Sequence, residues 1–310
     1  MKISILTATY NRANFLNNLY CSIKKNLIDN ILIEWLIMDD GSTDDTKSTV
    51  DSFIKENLDN NLEIKYYFQE NHGKMDALNN LISNISSDST LLIECDSDDY
   101  LCNNAIKTIY TKYSEIKDES NIYALCFLKN DKNQCNIGSL FKSNNYETNM
   151  FNLYFKDGIT GDKALVYISS IRKKYNYILE NGEKFSTEAR MYNQMDKNYN
   201  IVCFNSPIMV CDYLNEGYSK NIKKIFLENP CGYYEYFKQL INFDMHGVLF
   251  SKRLYIIKHY ILFSYLTKQK NILKNVKGAF NKFLVILLYV PGIAKSWLYE
   301  QMWNFVSLWH

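Results

Sequence analysis

Apolar and polar positions alternate along the first hundred residues in a regular rhythm. Residues 3–7, Ile-Ser-Ile-Leu-Thr, predict a buried strand, and Phe15, Leu16, Leu19 and Ile23 then recur at helical spacing. Residues 35–38, Trp-Leu-Ile-Met, predict a second strand that stops at Asp39-Asp40-Gly41-Ser42. Thr46, Val50, Phe53 and Ile54 mark the next helix, residues 64–68 a third strand, Ala77, Leu78, Leu81 and Ile85 a third helix, and residues 91–93 a fourth strand. A strand–helix repeat of this kind predicts an α/β fold, a Rossmann-like, mostly parallel sheet flanked by helices.

Ligands of such sheets bind beyond the carboxyl ends of the strands. Each of the four predicted strands ends there in a polar cluster: Thr7-Ala8-Thr9-Tyr10-Asn11-Arg12, Asp39-Asp40-Gly41-Ser42, Glu70-Asn71-His72-Gly73-Lys74 and Asp96-Ser97-Asp98-Asp99. Past residue 120 the rhythm loosens. Residues 124–128, 164–168 and 208–211 read as strands, 129–149 as a long Asn-rich loop, and the chain after Pro230 as helices. The expected organisation is a catalytic domain over 1–220, with a nucleotide half (1–128) and an acceptor half (129–220), followed by a helical, basic and aromatic region over 221–310.

Composition narrows the choice. Hydrophobic residues make up 47% of the 310, enough for a large core, so wholesale disorder is excluded. The formal charge is only +1, which removes any general case for nucleic-acid binding. That balance hides an asymmetry. Residues 251–310 hold nine basic residues and one acidic residue, Glu300, for a net +8, and the remainder carries −7. Eight cysteines include no CxxC pair, and the start of the sequence is not expected to be a signal peptide. A cytoplasmic chain with free thiols is expected.

The carboxylates at 96–99 repel one another unless a cation lies among them. Few, hard oxygen ligands suit Mg²⁺ or Mn²⁺ that shares the rest of its shell with phosphates and water. The other reading is an acidic turn capping a helix that starts near Asn103. Asp39, at a strand end, is placed to accept a base N–H or a ribose hydroxyl, whereas Asp44 and Asp45 suit a structural role before the next helix. Arg12 and Lys74 lie where cations meet phosphates, and His72 lies close by. Neither GxGxxG nor GxxxxGK[ST] occurs, so a dinucleotide-binding domain and a P-loop enzyme are unsupported.

These four clusters, in order and at this spacing, resemble the nucleotide-binding half of a family-2 glycosyltransferase of the GT-A fold, bacterial in type. The resemblance implies an inverting, metal-dependent transfer of a sugar from a nucleotide-sugar, UDP-linked by expectation, with Mn²⁺ or Mg²⁺ as cofactor. It implies that Thr9, Tyr10 and Arg12 surround the nucleoside, that Asp39 reads the base and that Lys74 lies beside the nucleotide. Asp96-Ser97-Asp98 matches the DxD whose last Asp approaches the metal, Asp96 and Ser97 lying against the donor, and Asp99 matches the acid that often follows. Inversion needs one base on the acceptor hydroxyl. Relatives place an Asp after a Glu at a helix start; here Thr187-Glu188 fits and Ala189 replaces the Asp. Glu188 is the first candidate and Glu183 the second, and each also fits an ordinary first-turn acid.

A glycan or lipid-linked acceptor for cell-envelope or surface polysaccharide is the expected partner. The apolar run 283–290 is too short to span a bilayer, which takes about 20 residues. Leu298, Met302, Phe305 and Trp309 follow at helical spacing, with Trp297 and Trp303 among them and lysines upstream. The pattern fits a helix lying on an anionic membrane surface, peripheral to the inner face of the cell membrane. It also fits an appendage that packs on the catalytic domain or joins two copies into a homo-oligomer. Two further functions stay open, a sugar nucleotidyltransferase and a catalytically degenerate nucleotide-binding scaffold. The first lacks its Gly-rich phosphate loop, and the second draws on Ala189.

Overall fold

A computed structural model describes residues 1–116, 120–180, 182–211 and 222–289. The chain divides into two compact units, Met1–Tyr177 with Gln194–Leu214, and Ile178–Asn193 with Asn215–His310. The segment that carries Glu183 and Glu188 thus groups with the C-terminal helices.

The first unit is built on β1 (Lys2–Thr9), α1 (Ala13–Lys25), β2 (Leu32–Asp39), α2 (Thr46–Glu56), β3 (Leu62–Phe68), α3 (Lys74–Ser83), β4 (Leu91–Glu94), β5 (Tyr100–Leu101) and α4 (Ala105–Ser114). It continues with β6 (Ile122–Asp131), β7 (Tyr146–Thr148), β8 (Lys163–Ile168), the short α5 (Ser169–Arg172) and β9 (Asn200–Cys211); most of the preceding helix α6 (Glu188–Met195) belongs to the second unit. The described strands form one nine-stranded sheet in the order β3-β2-β1-β4-β8-β6-β9-β5, with β7 also on β9. β3, β2, β1 and β4 are mutually parallel. β1 and β2 are buried along nearly their whole length, which explains why they read as continuous apolar runs rather than alternating ones.

Trp35 of β2 anchors this half. Its ring lies near Tyr20 of α1 and Phe53 of α2, and its indole N–H donates to Thr7 Oγ1 at 3.0 Å. Glu34, the neighbouring residue, is buried as a charge. It accepts from Ser4 Oγ (2.6 Å), Ser86 N (3.0 Å) and Lys65 Nζ (3.2 Å). Burial pushes its carboxyl up, and these bonds more than offset that, leaving it below its ordinary range.

The parallel rhythm breaks after β4. β8 enters antiparallel between β4 and β6, and β9 then runs parallel to β6. The expected loop over 129–149 is shorter than its composition indicates, since β6 runs on to Asp131 and residues 146–148 pair with β9. β9 itself starts eight residues earlier than its apolar end at 208–211 predicts, because residues 201–204 also pair with β6, on the near side of an irregularity at Asn205 and Ser206.

The second unit holds α7 (Ile222–Glu228), α8 (Pro230–Leu240), α9 (Phe250–Leu266) and α10 (Ala279–Leu288). Its core is aromatic. Phe237 stacks on Phe263 at 5.5 Å and on His259 at 4.9 Å, and Tyr233 stacks on Phe263 at 5.3 Å. Burial pushes the His259 imidazole down to about 4, so it packs as a neutral ring. No described helix is long and apolar enough to cross a membrane. Trp297, Leu298, Met302, Trp303, Phe305 and Trp309 lie outside the described residues.

Candidate active site

Parallel pairing sets the carboxyl ends of β1, β2 and β4 along one edge. Thr9 is in register with Asp39, Asp40 N–H donates to Thr9 O at 2.8 Å, and Cys95 N–H donates to Leu6 O at 2.9 Å. The polar clusters therefore meet because each is the continuation of a buried strand.

Three loops are stitched together at this edge. Asn11 takes the left-handed region (φ 51°), which Asn tolerates better than most residues. In that pose its Oδ1 accepts Thr43 N–H at 2.8 Å and its own N–H donates to Ser42 Oγ at 2.9 Å. Asp44 Oδ2 accepts Ala13 N–H at 3.1 Å and its Oδ1 accepts Thr46 N–H at 3.0 Å, the structural task expected of it. Gly41 has φ +84°, and a Cβ there would stand 2.9 Å from Asn71 N, so both backbone angle and space call for glycine.

Asp40, which sequence reasoning passed over, is the clasp. Its buried carboxylate accepts Gln69 Nε2 (2.8 Å), His72 N–H (2.9 Å) and Gly73 N–H (2.8 Å). These bonds fix the approach to α3 and hence Lys74. His72 contributes its backbone to this clasp; its ring is exposed, 3.6 Å from Asp76.

Asp39 is buried at the strand end, with Oδ1 accepting Ser42 N–H at 2.7 Å and Oδ2 accepting Tyr66 O–H at 2.7 Å. Each oxygen keeps a second lone pair. Thr9 is buried beside it, and its Oγ1 has no hydrogen-bond partner among the described residues. Tyr10, by contrast, is 48% exposed.

The acidic turn closes with Asp99 N–H donating to Asp96 O at 3.0 Å. Each of its carboxylates faces a cation from a different part of the chain. Lys74 Nζ lies 2.7 Å from Asp96, Arg12 Nη1 lies 3.0 Å from Asp98, and Lys129 Nζ lies 3.4 Å from Asp99. Cys211 Sγ also donates to Asp99, at 2.9 Å. Ser97, between the first two carboxylates, is buried. Burial works to raise the Asp96 carboxyl, but Lys74, Lys129 and Arg12 together hold it below the ordinary range. Asp99 goes the other way, to about 6, because burial and the Asp96 charge outweigh Lys129. The β6–β9 register slips on either side of Leu128, and Lys129 comes directly after that irregularity. A charge at the end of the apolar run 124–128 was the signal in the sequence that could have marked it.

Glu94, the last residue of β4, fixes the turn from behind. It accepts from Arg172 Nε at 2.9 Å and from Tyr177 O–H at 2.5 Å. Arg172 is wholly buried between the rings of Tyr167 and Tyr177. Nothing in the local pattern of residues 169–172 marks this arginine.

Among the described residues no three His, Cys, Asp or Glu side chains gather to hold a metal. Asp96 and Asp98 instead offer one or two carboxylates at the mouth of the turn. This donor set suits Mg²⁺ or Mn²⁺ whose remaining ligands come from phosphates and water.

In the second unit, Glu183 spans the first turn of α8. Its Oε1 accepts Cys231 N–H at 2.7 Å and its Oε2 accepts Gly232 N–H at 2.8 Å. A carboxylate at a helix N-terminus satisfies two orphan amides and opposes the helix dipole. Glu188 opens α6, half-buried, near enough to Tyr233 for its charge to add to the burial that holds that phenol up.

The sheet and its acidic turn define the glycosyltransferase A (GT-A) fold. The chain belongs to glycosyl transferase family 2, whose model matches residues 4–175, more than half of its length. It is 33% identical over 115 residues to an uncharacterized glycosyltransferase of Mycoplasma genitalium, covering 37% of this chain and 38% of that relative. It is 25% identical over 251 residues to the GalNAc(5)-diNAcBac-PP-undecaprenol beta-1,3-glucosyltransferase of Campylobacter jejuni, covering 78% of this chain and 74% of that one. The fold is similar to that of Staphylococcus aureus TarS 1-349 in complex with UDP, with TM-score 0.56, 16% identity, and coverage of 96% and 87%. It is also similar to the mannosyltransferase PcManGT of Pyrobaculum calidifontis in complex with GDP-Man and Mn²⁺, with TM-score 0.55, 13% identity, and coverage of 99% and 85%.

Proposed function

We propose that the chain is a metal-dependent, inverting glycosyltransferase that moves a sugar from a UDP-linked donor to a glycan or lipid-linked acceptor. The observation that carries this reading is the acidic turn at 96–99, set on the same strand edge as Thr9, Tyr10 and Asp39. Thr9 Oγ1 is a buried hydroxyl with an unused bond, and Asp39 keeps lone pairs for a base N–H. In this reading Asp98 and Asp96 hold Mn²⁺ or Mg²⁺, which offsets the diphosphate charge, while Arg12 and Lys74 can turn from the carboxylates to the phosphates. The relatives support the donor class, since one is seen with UDP and another with GDP-Man and Mn²⁺. The Campylobacter relative, named for an undecaprenol-linked acceptor, supports a lipid-linked one; a place at the inner face of the cell membrane belongs to the same proposal.

Glu188 is the proposed base. Glu183 has both oxygens committed to backbone amides, and Glu188, which follows Thr187 at the start of α6, is kept as the first choice on its match to the family pattern. The test is incubation with a panel of nucleotide-sugars and Mn²⁺, following release of free sugar. Slow hydrolysis of one donor supports the transferase. Pyrophosphate chemistry would instead make it a nucleotidyltransferase, and tight nucleotide binding without turnover would make it a scaffold, the reading that Ala189 keeps open.

A further inference from the structure

α10 is apolar on both sides. Asn281, Leu284 and Val285 face inward, and Asn281 Nδ2 donates to Ile241 O at 3.0 Å. The opposite arc carries Phe280, Phe283, Ile286 and Leu287, with Tyr289 just past its end, all between 44% and 58% exposed. Helical geometry puts these four on one face, with Lys282 exposed at its margin. Lys277 is exposed one residue before the N-cap, Gly278, and the Arg253 guanidinium lies 5.2 Å from the Phe280 ring centre. Residues 245–289 contain eight Lys and Arg and no Asp or Glu.

Charge decides what fits this face. A two-fold pairing of two copies would set the same basic margin against itself, with no acidic side chain in this stretch to pair it. An anionic bilayer offers both partners at once, hydrocarbon for the arc and phosphate for its rim. A ten-residue helix is about 15 Å long, too short to cross a bilayer but long enough to lie in its surface. We propose that α10 is a membrane-surface element, seating Phe280, Phe283, Ile286 and Leu287 at the headgroup boundary with Lys277, Lys282 and Arg253 against lipid phosphates. The inference rests on the proposed function only in that a lipid-linked acceptor would be reached from such a surface. It places the contact in α10 rather than in the tryptophans further along.

The experiment is co-sedimentation of the full chain with vesicles of phosphatidylcholine, alone or mixed with phosphatidylglycerol, with UDP calorimetry on the same samples. The full chain should bind the anionic vesicles more tightly than the neutral ones, and added salt should weaken binding without abolishing it. The triple variant Phe283→Glu/Ile286→Glu/Leu287→Glu should lose about tenfold or more of that binding and keep its UDP affinity. These positions are exposed, so the fold should survive; an unchanged circular dichroism spectrum checks it. Vesicle binding that survives the triple variant and disappears on deletion of residues 290–310 would overturn the proposal. So would a full chain that ignores anionic vesicles and turns from dimer to monomer in the triple variant. A chain that binds vesicles but no UDP would refute the donor site while leaving this inference standing.

Discussion

Arg12 holds Asp98 in the free protein, so a metal ion that uses Asp98 must first displace it. The Arg12→Gln variant isolates that competition. The pair is 3.0 Å long, and its two side chains are 27% and 23% exposed. A charge-assisted hydrogen bond is worth ~1.5–3 kcal/mol when well shielded, and an exposed ion pair ~1 kcal/mol or less. At about one-quarter exposure, ~1–2 kcal/mol is reasonable, which corresponds to roughly a 5- to 30-fold change in affinity. Arg12→Gln should therefore bind Mn²⁺ alone about 5- to 30-fold more tightly than the wild type. Its affinity for UDP without metal should fall, because a phosphate counter-charge is gone. Mn²⁺ titration followed by electron paramagnetic resonance, with calorimetry for UDP, reads both. The gain should vanish in the Arg12→Gln/Asp98→Ala double variant. Metal binding by Arg12→Gln that is no tighter than wild type would refute the idea that Arg12 and the metal compete for Asp98.

The remaining expectations bear on the other groups. Asp98→Ala should remove the effect of Mn²⁺ on UDP binding and cost ~1–2 kcal/mol of stability or less, the Arg12 pair that it loses; an intact metal effect in calorimetry sinks the assignment. Glu188→Gln should lose ~10²–10⁴ in turnover with donor affinity kept, the usual loss for a general base. Glu183→Gln should retain turnover but melt earlier by ~1–2 kcal/mol, because an amide cannot accept from both Cys231 and Gly232. The reverse pattern in the two variants would exchange their roles. Asp196 is a stability titration: it accepts Phe151 N–H at 2.8 Å and Tyr123 O–H at 3.0 Å, yet burial lifts its carboxyl to about 6. A raised carboxyl stabilises the fold fully below its unfolded value near 3.9, and that contribution is lost as pH rises through about 6. Relative to Asp196→Asn, the wild type should gain ~2–3 kcal/mol between pH 7 and pH 4 in urea melts; parallel pH profiles would show that Asp196 does not titrate in this range.

The strand–helix rhythm of residues 3–93 was legible because period and burial are local properties. A strand covered on both faces must be apolar throughout, so β1, β2 and β4 announce themselves. The polar residue that ends each run then marks where ligands sit in a parallel sheet. Asp39, Asp96 and Asp98 became candidates this way. Asp40 was not, since an acid beside an acid on one loop gives no hint of which one turns inward to hold His72 and Gly73.

Pairing across distance is what the sequence left open and the tertiary structure decided. Arg12 and Asp98 are 86 positions apart, and only the adjacency of β1 and β4 brings them together. Lys129 reaches Asp99 from β6, although β8, which comes later in the chain, is inserted antiparallel between β4 and β6. Glu183 reads locally as a first-turn acid, the same as Glu188. What the sequence could not show is a helix 48 residues on, whose first amides claim both oxygens of Glu183. Hydrophobic period and turn chemistry act over a few residues and so appear in the sequence; the partner of a buried charge depends on strand order and register, which appear only when the whole sheet closes.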